Sequence, residues 1–195
     1  KDLLAEVIRI FDKPRYFHIG MDEETFSHQR YFRYALIRQY DLWWHDFLFY
    51  VKEIEMKGTR AWIWSDYVWE HPDEFRKKMP KSVVQSNWYY NEEFEEADFA
   101  AYAKRTGSEE SAKRIRTWLK AYDLLEQQGY DQIPTGSNWI GDTNFKKTAE
   151  YCGKVISPRR LKGFMTACWA VTLPEFRGYH FRAIDQVGEA KRAFG

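Results

Sequence analysis

The chain has 195 residues, of which 44% are hydrophobic and 30% charged, with a formal net charge of +1. This length allows one domain with a sizeable core, and the composition excludes a disordered chain. The near-neutral charge gives no reason to expect nucleic acid or an anionic membrane as a partner, and no apolar run predicts a transmembrane helix.

The start of the sequence indicates a piece of a longer protein. It begins without Met, inside a helical pattern, and no signal peptide precedes that pattern. Two cysteines, Cys152 and Cys168, form no CxxC pattern and predict neither a disulfide framework nor a zinc site. They weakly favour a reducing, cytoplasmic compartment, and the localisation stays open.

Helices and strands are predicted to alternate along the chain. After the first helix, residues 3–11, a long helix is expected over residues 25–56, and later helices near 70–80, 109–128, 144–151 and 180–194. The acidic stretch "NEEFEEADF" is expected to be a solvated loop. The predicted strands are "RYFHIGM", "RAWIWSD", "SVVQSNWYY", "YDQIPTGSNW" and "LKGFMTACWAV".

This alternation predicts an α/β fold with a parallel sheet. Each predicted strand ends in a polar or aromatic cluster, and a (β/α)8 TIM barrel builds its active site from such strand ends. An open sheet would concentrate its site at one switch point instead. Five strands are too few to close an eight-stranded barrel. We therefore expect a single domain, residues 1–195, that forms a partial barrel covering about strands 4 to 8.

The end of the first strand carries three consecutive acids, which begin at Asp22. Alternation along the strand places His18, Gly20 and Asp22 on one face, so that His18 lies beneath Asp22 with space between them. Glu23 reaches the same side only if the strand has already turned into its loop. Adjacent carboxylates in a partly dry site push their pKa values apart, which suits glycoside cleavage.

Four segments resemble motifs of family 20 glycoside hydrolases, the β-N-acetylhexosaminidases. "HIGMDE" resembles the H-x-G-G-D-E motif that ends the fourth barrel strand of that family. "WIWSD", "VVQSNW" and "GFMTACW" resemble its strands five, six and eight, in the family's order. The resemblance spans nearly the whole chain and implies the second part of the catalytic barrel.

The resemblance also implies roles for individual residues. Glu23 matches the general acid/base, and Asp22 matches the residue that orients the substrate's 2-acetamido group, which is the nucleophile in this family. His18 matches the motif histidine that supports the acids. Aromatic faces suit the apolar surfaces of sugars. The remaining residues are candidates for binding the sugar: Trp64, Asp66, Trp88, Tyr89, Trp139 and Trp169.

The sequence departs from the family pattern in three places. The acid pair is kept, so the departures concern recognition of the sugar more than the hydrolytic chemistry. Met21 replaces the motif's second glycine, no acid follows two residues after Trp169, and "PTGSNW" lacks the family's tyrosine. Tyr89 is a substitute candidate for that tyrosine. We expect an exo-acting glycosidase for a β-linked N-acetylhexosamine or related sugar, with no cofactor and no metal.

Several alternatives stay open at this stage. The acids could form a solvated turn or cap the next helix, or a cation could bind at His18, Asp22 and Glu23. Any of the tryptophans could be core, as we expect for Trp43 and Trp44. The chain could also be a non-catalytic sugar-binding barrel, or a two-carboxylate glycosidase with Asp66 or another acid as nucleophile. A half barrel exposes strand edges, so a missing N-terminal segment or a second copy of the chain is the expected partner.

Overall fold

Short parallel strands alternate with helices in the computed structural model, which describes residues 1–23 and 40–194. The chain divides into two compact units, residues 1–85 and 86–195. The α/β class expected from the alternation is confirmed, whereas a partial barrel stays a prediction. No helix among the described residues is both long and apolar enough to span a membrane.

The first unit is built around strands that pair in parallel. Tyr16 lies opposite Arg60 and His18 opposite Trp62, and the order of the sheet is β1-β2-β3. The elements of this unit are α1 (Asp2–Ile10), β1 (Tyr16–His18), α2 (Asp41–Glu55), β2 (Arg60–Trp64), α3 (Tyr67–Glu70), α4 (Pro72–Lys78) and β3 (Val84–Ser86), which runs to the unit boundary.

Helix α2 supplies much of the core of the first unit. Its apolar side chains recur at helical spacing, and Trp43, Trp44 and Phe47 are all buried. The Trp43 ring stacks on Tyr67 with the centroids 4.4 Å apart. The prediction that both tryptophans of this helix are core is therefore confirmed. The predicted helix of residues 25–56 is described only from residue 40 onward, and Glu24 also lies outside the described residues.

Strand β2 shows the period-two burial of a sheet with one covered face. Ala61 and Ile63 are buried, whereas Arg60, Trp62 and Trp64 are partly exposed. The two indoles of this strand therefore lie on the same side of the sheet. That side also carries His18 from β1, because its ring contacts both indoles.

The second unit also pairs its strands in parallel. Thr135 lies opposite Met165, and isolated parallel bridges join Trp88 to Thr135 and Gln132 to Leu161. The elements of this unit are α5 (Glu96–Thr106), α6 (Glu109–Gln127), β4 (Thr135–Gly136), α7 (Asn144–Val155), β5 (Met165–Thr166), a 3-10 turn (Pro174–Phe176) and α8 (Arg177–Phe194). Its core includes Phe99, Leu119, Tyr122, Cys152 and Ile156.

The prediction of a solvated loop in the acidic stretch was wrong, because α5 begins within it. Glu95 is the N-cap, and its side chain and that of Asp98 form a reciprocal capping box. Phe99 anchors the helix in the core. The helix ends at Gly107, whose φ of 67° lies in the left-handed region that favours glycine.

Candidate active site

The chain leaves the strand geometry directly after β1. The backbone φ is 71° at Gly20, 69° at Met21 and 56° at Glu23, all in the left-handed region. Glycine adopts this region without a steric cost, whereas Met21 and Glu23 do not. The acids therefore lie in an irregular, bent segment after β1, residues 20–23, which we call the turn.

His18 is held beneath this turn as a neutral imidazole. Its Nδ1 atom accepts a hydrogen bond from the Gly20 amide at 3.0 Å, so the ring proton belongs to Nε2. The ring lies edge-on to Trp62 and Trp64, with each pair of centroids 4.6 Å apart. Burial between the indoles lowers the pKa of His18 to about 4. The Nε2 atom is buried and has no hydrogen-bond partner among the described residues.

Asp66, two residues after β2, contacts the turn through a hydrogen bond between its side chain and a backbone amide of the turn. Its Oδ2 atom accepts from the Glu23 amide at 2.8 Å. The carboxyl ends of adjacent parallel strands meet at one edge of a sheet, which is why residues 43 positions apart in sequence can make this contact. Its Oδ1 atom is buried, with no partner in the described ranges 1–23 and 40–194.

The position of Asp66 changes its protonation. Burial of the carboxyl group is the main cause that raises its pKa to about 7, and the negative charge of Asp22 adds to it. The hydrogen bond from the Glu23 amide opposes this rise without cancelling it. Asp66 therefore retains its proton over much of the range up to neutral pH.

Asp22 and Glu23 complete the acid cluster, which we define as Asp22, Glu23 and Asp66. Asp22 is partly buried and Glu23 is exposed. Gly20 suits this segment because of its left-handed φ of 71°, since a Cβ atom there would make only an ordinary contact, 3.8 Å from Asp22 Oδ1. The first unit thus brings a neutral histidine and three acids together. An acid that keeps its proton beside ionisable neighbours is an arrangement that supports proton transfer.

The second unit gathers aromatic rings at the end of β3 and after β5. Trp88 stacks on Tyr90 with centroids 5.2 Å apart, and Tyr90 lies 6.5 Å from Trp169. Trp169 is 53% exposed and has a φ of 49°. The sequence analysis missed Tyr90. The alternation of side chains beyond β3 could have identified it, since Trp88 and Tyr90 share a parity.

The same alternation overturns the prediction that Tyr89 binds substrate. Tyr89 is fully buried in the core of the second unit, and its hydroxyl donates to the Glu93 backbone carbonyl. Burial raises the pKa of this phenol well above its ordinary range. Its hydroxyl is therefore committed to the protein interior. Trp139, by contrast, is 59% exposed.

Comparisons with known proteins identify a similar fold but assign the sequence to no family. No family model matches the sequence, and no curated protein matches it. A solved structure that does match is a family 20 exo-β-N-acetylglucosaminidase from Vibrio harveyi in complex with N-acetylglucosamine. The chain shares the fold of part of that enzyme. The TM-score is 0.55 at 18% identity, over 96% of this chain and 29% of the enzyme.

Proposed function

We propose that the chain is part of a glycoside hydrolase that releases a β-linked N-acetylhexosamine, or a related sugar, with retention of configuration. One observation carries this proposal: the hydrogen bond from the Glu23 amide to Asp66 Oδ2 gathers three acids at the ends of two adjacent parallel strands. The similarity in fold to a family 20 exo-β-N-acetylglucosaminidase supports it. We also propose that these strands belong to a (β/α)8 barrel.

The acid cluster divides the chemistry among its members. Glu23 is exposed and can reach a bound ligand, so it is the proposed general acid that protonates the glycosidic oxygen and then the base that activates water. Asp22 is the proposed partner of the 2-acetamido group, whose oxygen attacks the anomeric carbon in a substrate-assisted reaction. This is an exception to the usual pair of carboxylates.

Asp66 is the proposed support of the turn, and a nucleophilic role fits it less well. A nucleophile must be ionised and must present an oxygen to the sugar. Burial instead raises the Asp66 pKa to about 7, and its Oδ2 atom already accepts from the Glu23 amide. The contacts of Asp66 therefore favour the substrate-assisted reaction over a conventional two-carboxylate one.

Sugar binding is assigned to aromatic faces. Within the first unit, Trp64 borders His18 and stays partly exposed. In the second unit, the stacked pair of Trp88 and Tyr90, together with Trp169, offers ring faces of the kind that pack on sugar C–H surfaces. Trp139 stays a candidate for the same role. Further barrel strands, from an N-terminal segment or a second copy of the chain, are the proposed partner.

A panel of chromogenic glycosides tests the proposal. A purified protein that contains this chain together with the proposed further barrel strands is expected to release nitrophenol from the N-acetyl-β-glucosaminide or the N-acetyl-β-galactosaminide. The Glu23→Gln variant is expected to lose at least about a hundredfold in kcat, as removal of a general acid does. Glu55→Gln, at an exposed acid that ends α2, is the matched control and should retain full activity. Equal background release by wild type and Glu23→Gln would favour a sugar-binding protein without turnover.

A further inference from the structure

A cysteine and a histidine form a hydrogen-bonded pair in the loop that follows β5. The Sγ atom of Cys168 lies 3.1 Å from Nδ1 of His180, near the start of α8. The Nε2 atom of the same ring lies 3.1 Å from the Val171 carbonyl oxygen. A carbonyl only accepts, so Nε2 carries the ring proton and Nδ1 accepts from the thiol. The carbonyl thus fixes the tautomer in which His180 can receive the thiol proton.

The pair has the arrangement of an activated nucleophile: a thiol, a base within hydrogen-bond reach, and a third group that orients the base. Cys168 is partly exposed. The other cysteine provides a contrast within the same chain, because Cys152 is buried in the core and burial raises its pKa well above the ordinary value. Cys152 is expected to be inert in the folded protein.

The neighbours of the pair indicate which electrophiles it would accept. Apolar side chains on both sides of it in sequence are exposed: Trp169 is 53%, Val171 55% and Phe181 50% exposed.

We propose that Cys168 and His180 form a covalent modification site for α,β-unsaturated carbonyl compounds that carry an apolar group. The Cys168 sulfur adds to the β-carbon while its proton passes to His180 Nδ1. The electron pair of the carbon–carbon double bond moves to give an enolate. The proton on His180 then returns to the α-carbon. The product is a neutral thioether, with no leaving group and no change in total oxidation state.

Maleimides test this site, since they are α,β-unsaturated carbonyl compounds of graded polarity. Intact-mass and peptide-mapping measurements of the 195-residue chain at pH 7 should show one adduct, on Cys168, with Cys152 modified only after denaturation. Cys168 should react at least about tenfold faster than glutathione. The ratio of the Cys168 labelling rate to the glutathione labelling rate should be larger for N-phenylmaleimide than for N-ethylmaleimide, because the exposed side chains around Cys168 are apolar.

Variants distinguish a reactivity that depends on the Cys168–His180 pair from one that depends only on the exposure of Cys168. His180→Ala should slow labelling of Cys168 about ten- to a hundredfold, which lies at or below the lower end of the roughly hundred- to ten-thousandfold contribution of a positioned base. His45→Ala, which removes an exposed histidine of the first unit, is the control and should leave the rate unchanged. A wild-type rate no faster than that of glutathione would overturn the proposal, even if His180→Ala failed to fold. So would equal rates in folded wild type and His180→Ala.

Discussion

At the scale of single residues, one hydrogen bond links two strand ends. Asp66 accepts from the Glu23 amide, not from its side chain, and so fixes the backbone while leaving the Glu23 carboxylate exposed. The sequence pattern identified both acids but could not show this contact. It depends on how far the chain turns after β1, and left-handed φ angles at Met21 and Glu23 are unusual for those residue types.

Stability measurements on Asp66 variants check its protonation and its hydrogen bond. The folded pKa of about 7 lies above the ordinary value of 3.8, so the folded state keeps a proton that the unfolded state has released. Wild type should therefore lose stability relative to Asp66→Asn as the pH rises from about 4 to about 7, by on the order of 2 kcal/mol. Asp66→Ala, which cannot accept from the Glu23 amide, should be less stable than Asp66→Asn by about 1–3 kcal/mol.

Urea unfolding of the three proteins across this pH range provides the measurement. A difference between wild type and Asp66→Asn that stayed constant with pH would show that Asp66 is ionised throughout. The role assigned to its burial would then be wrong.

The protonation of His18 gives a second prediction at this scale. Burial lowers its pKa from 6.5 to about 4, so the ring should stay neutral at pH 5.5, with the proton on Nε2. The unfolded state takes up a proton below about 6.5. His18 should therefore contribute stability above that pH and lose it as the pH falls towards 4. Imidazole nitrogen shifts measured by NMR would reveal both features. A titration midpoint near 6.5 would contradict the burial between Trp62 and Trp64.

Met21 allows a test of the backbone strain in the turn. Its side chain is buried, so Met21→Ala and Met21→Gly should both lose about 2–4 kcal/mol of stability. Because φ at this position is 69°, the glycine variant should be the more stable of the two by about 1 kcal/mol. The matched change Ala101→Gly, at an exposed position in α5, should instead lose about 1 kcal/mol. Thermal unfolding that ranked Met21→Ala above Met21→Gly would contradict the left-handed turn.

At the scale of elements, the alternation of helices and strands could be predicted because the spacing of apolar residues along the sequence differs between a helix and a strand. Helix α2 shows its buried side chains at helical spacing, and β2 shows strict alternation. Strand lengths could not be predicted in the same way. The segments around β4 and β5 were expected to form strands of about ten residues, imperfect at Pro134, yet β4 and β5 each span only two residues. Pro134, just before β4, has no amide proton to extend the ladder.

Helix α5 was missed because its acids were interpreted as solvated charge. Two of these acids, Glu95 and Asp98, instead cap the backbone of the helix. Asp98 accepts hydrogen bonds from the Phe94 and Glu95 amides at 3.1 and 3.0 Å. These bonds lower the pKa of Asp98. Only the spacing of a capping box was present in the sequence, because Glu95 replaces the usual Ser or Thr at the N-cap and Asp98 replaces the usual Glu or Gln.

Removal of that cap is therefore expected to destabilise the second unit. Asp98→Ala should cost about 1–2 kcal/mol in urea unfolding at pH 7, as loss of a helix cap does. The difference from wild type should shrink as the pH falls below about 4, since the pKa of Asp98 is lowered and its benefit requires the ionised form. Glu110→Ala, in the first turn of α6, is the control and should change the stability by less than about 0.5 kcal/mol. An equal effect of the two variants would argue against the capping box.

At the scale of the whole molecule, the order of the four segments that resemble family 20 strands said more about the fold than any one of those segments did. The segments that resemble family 20 strands are the ones that form or adjoin parallel strands, and the matched enzyme shares that fold. The chain spans 29% of that enzyme. The candidate binding residues were harder to predict, because the choice between Tyr89 and Tyr90 depends on the exact residue at which β3 ends. One position of difference moves a side chain from the core to the other face.

The central claim is that Asp22 and Glu23 serve a substrate-assisted reaction, and binding of a thiazoline mimic of the cyclised intermediate tests it most directly. Calorimetry should show wild type binding the thiazoline at least about a hundredfold more tightly than N-acetylglucosamine, as expected for a mimic of a reaction intermediate. Asp22→Ala should lose most of that preference. Equal, weak binding of both ligands by wild type, or an unchanged preference in Asp22→Ala, would contradict the assignment.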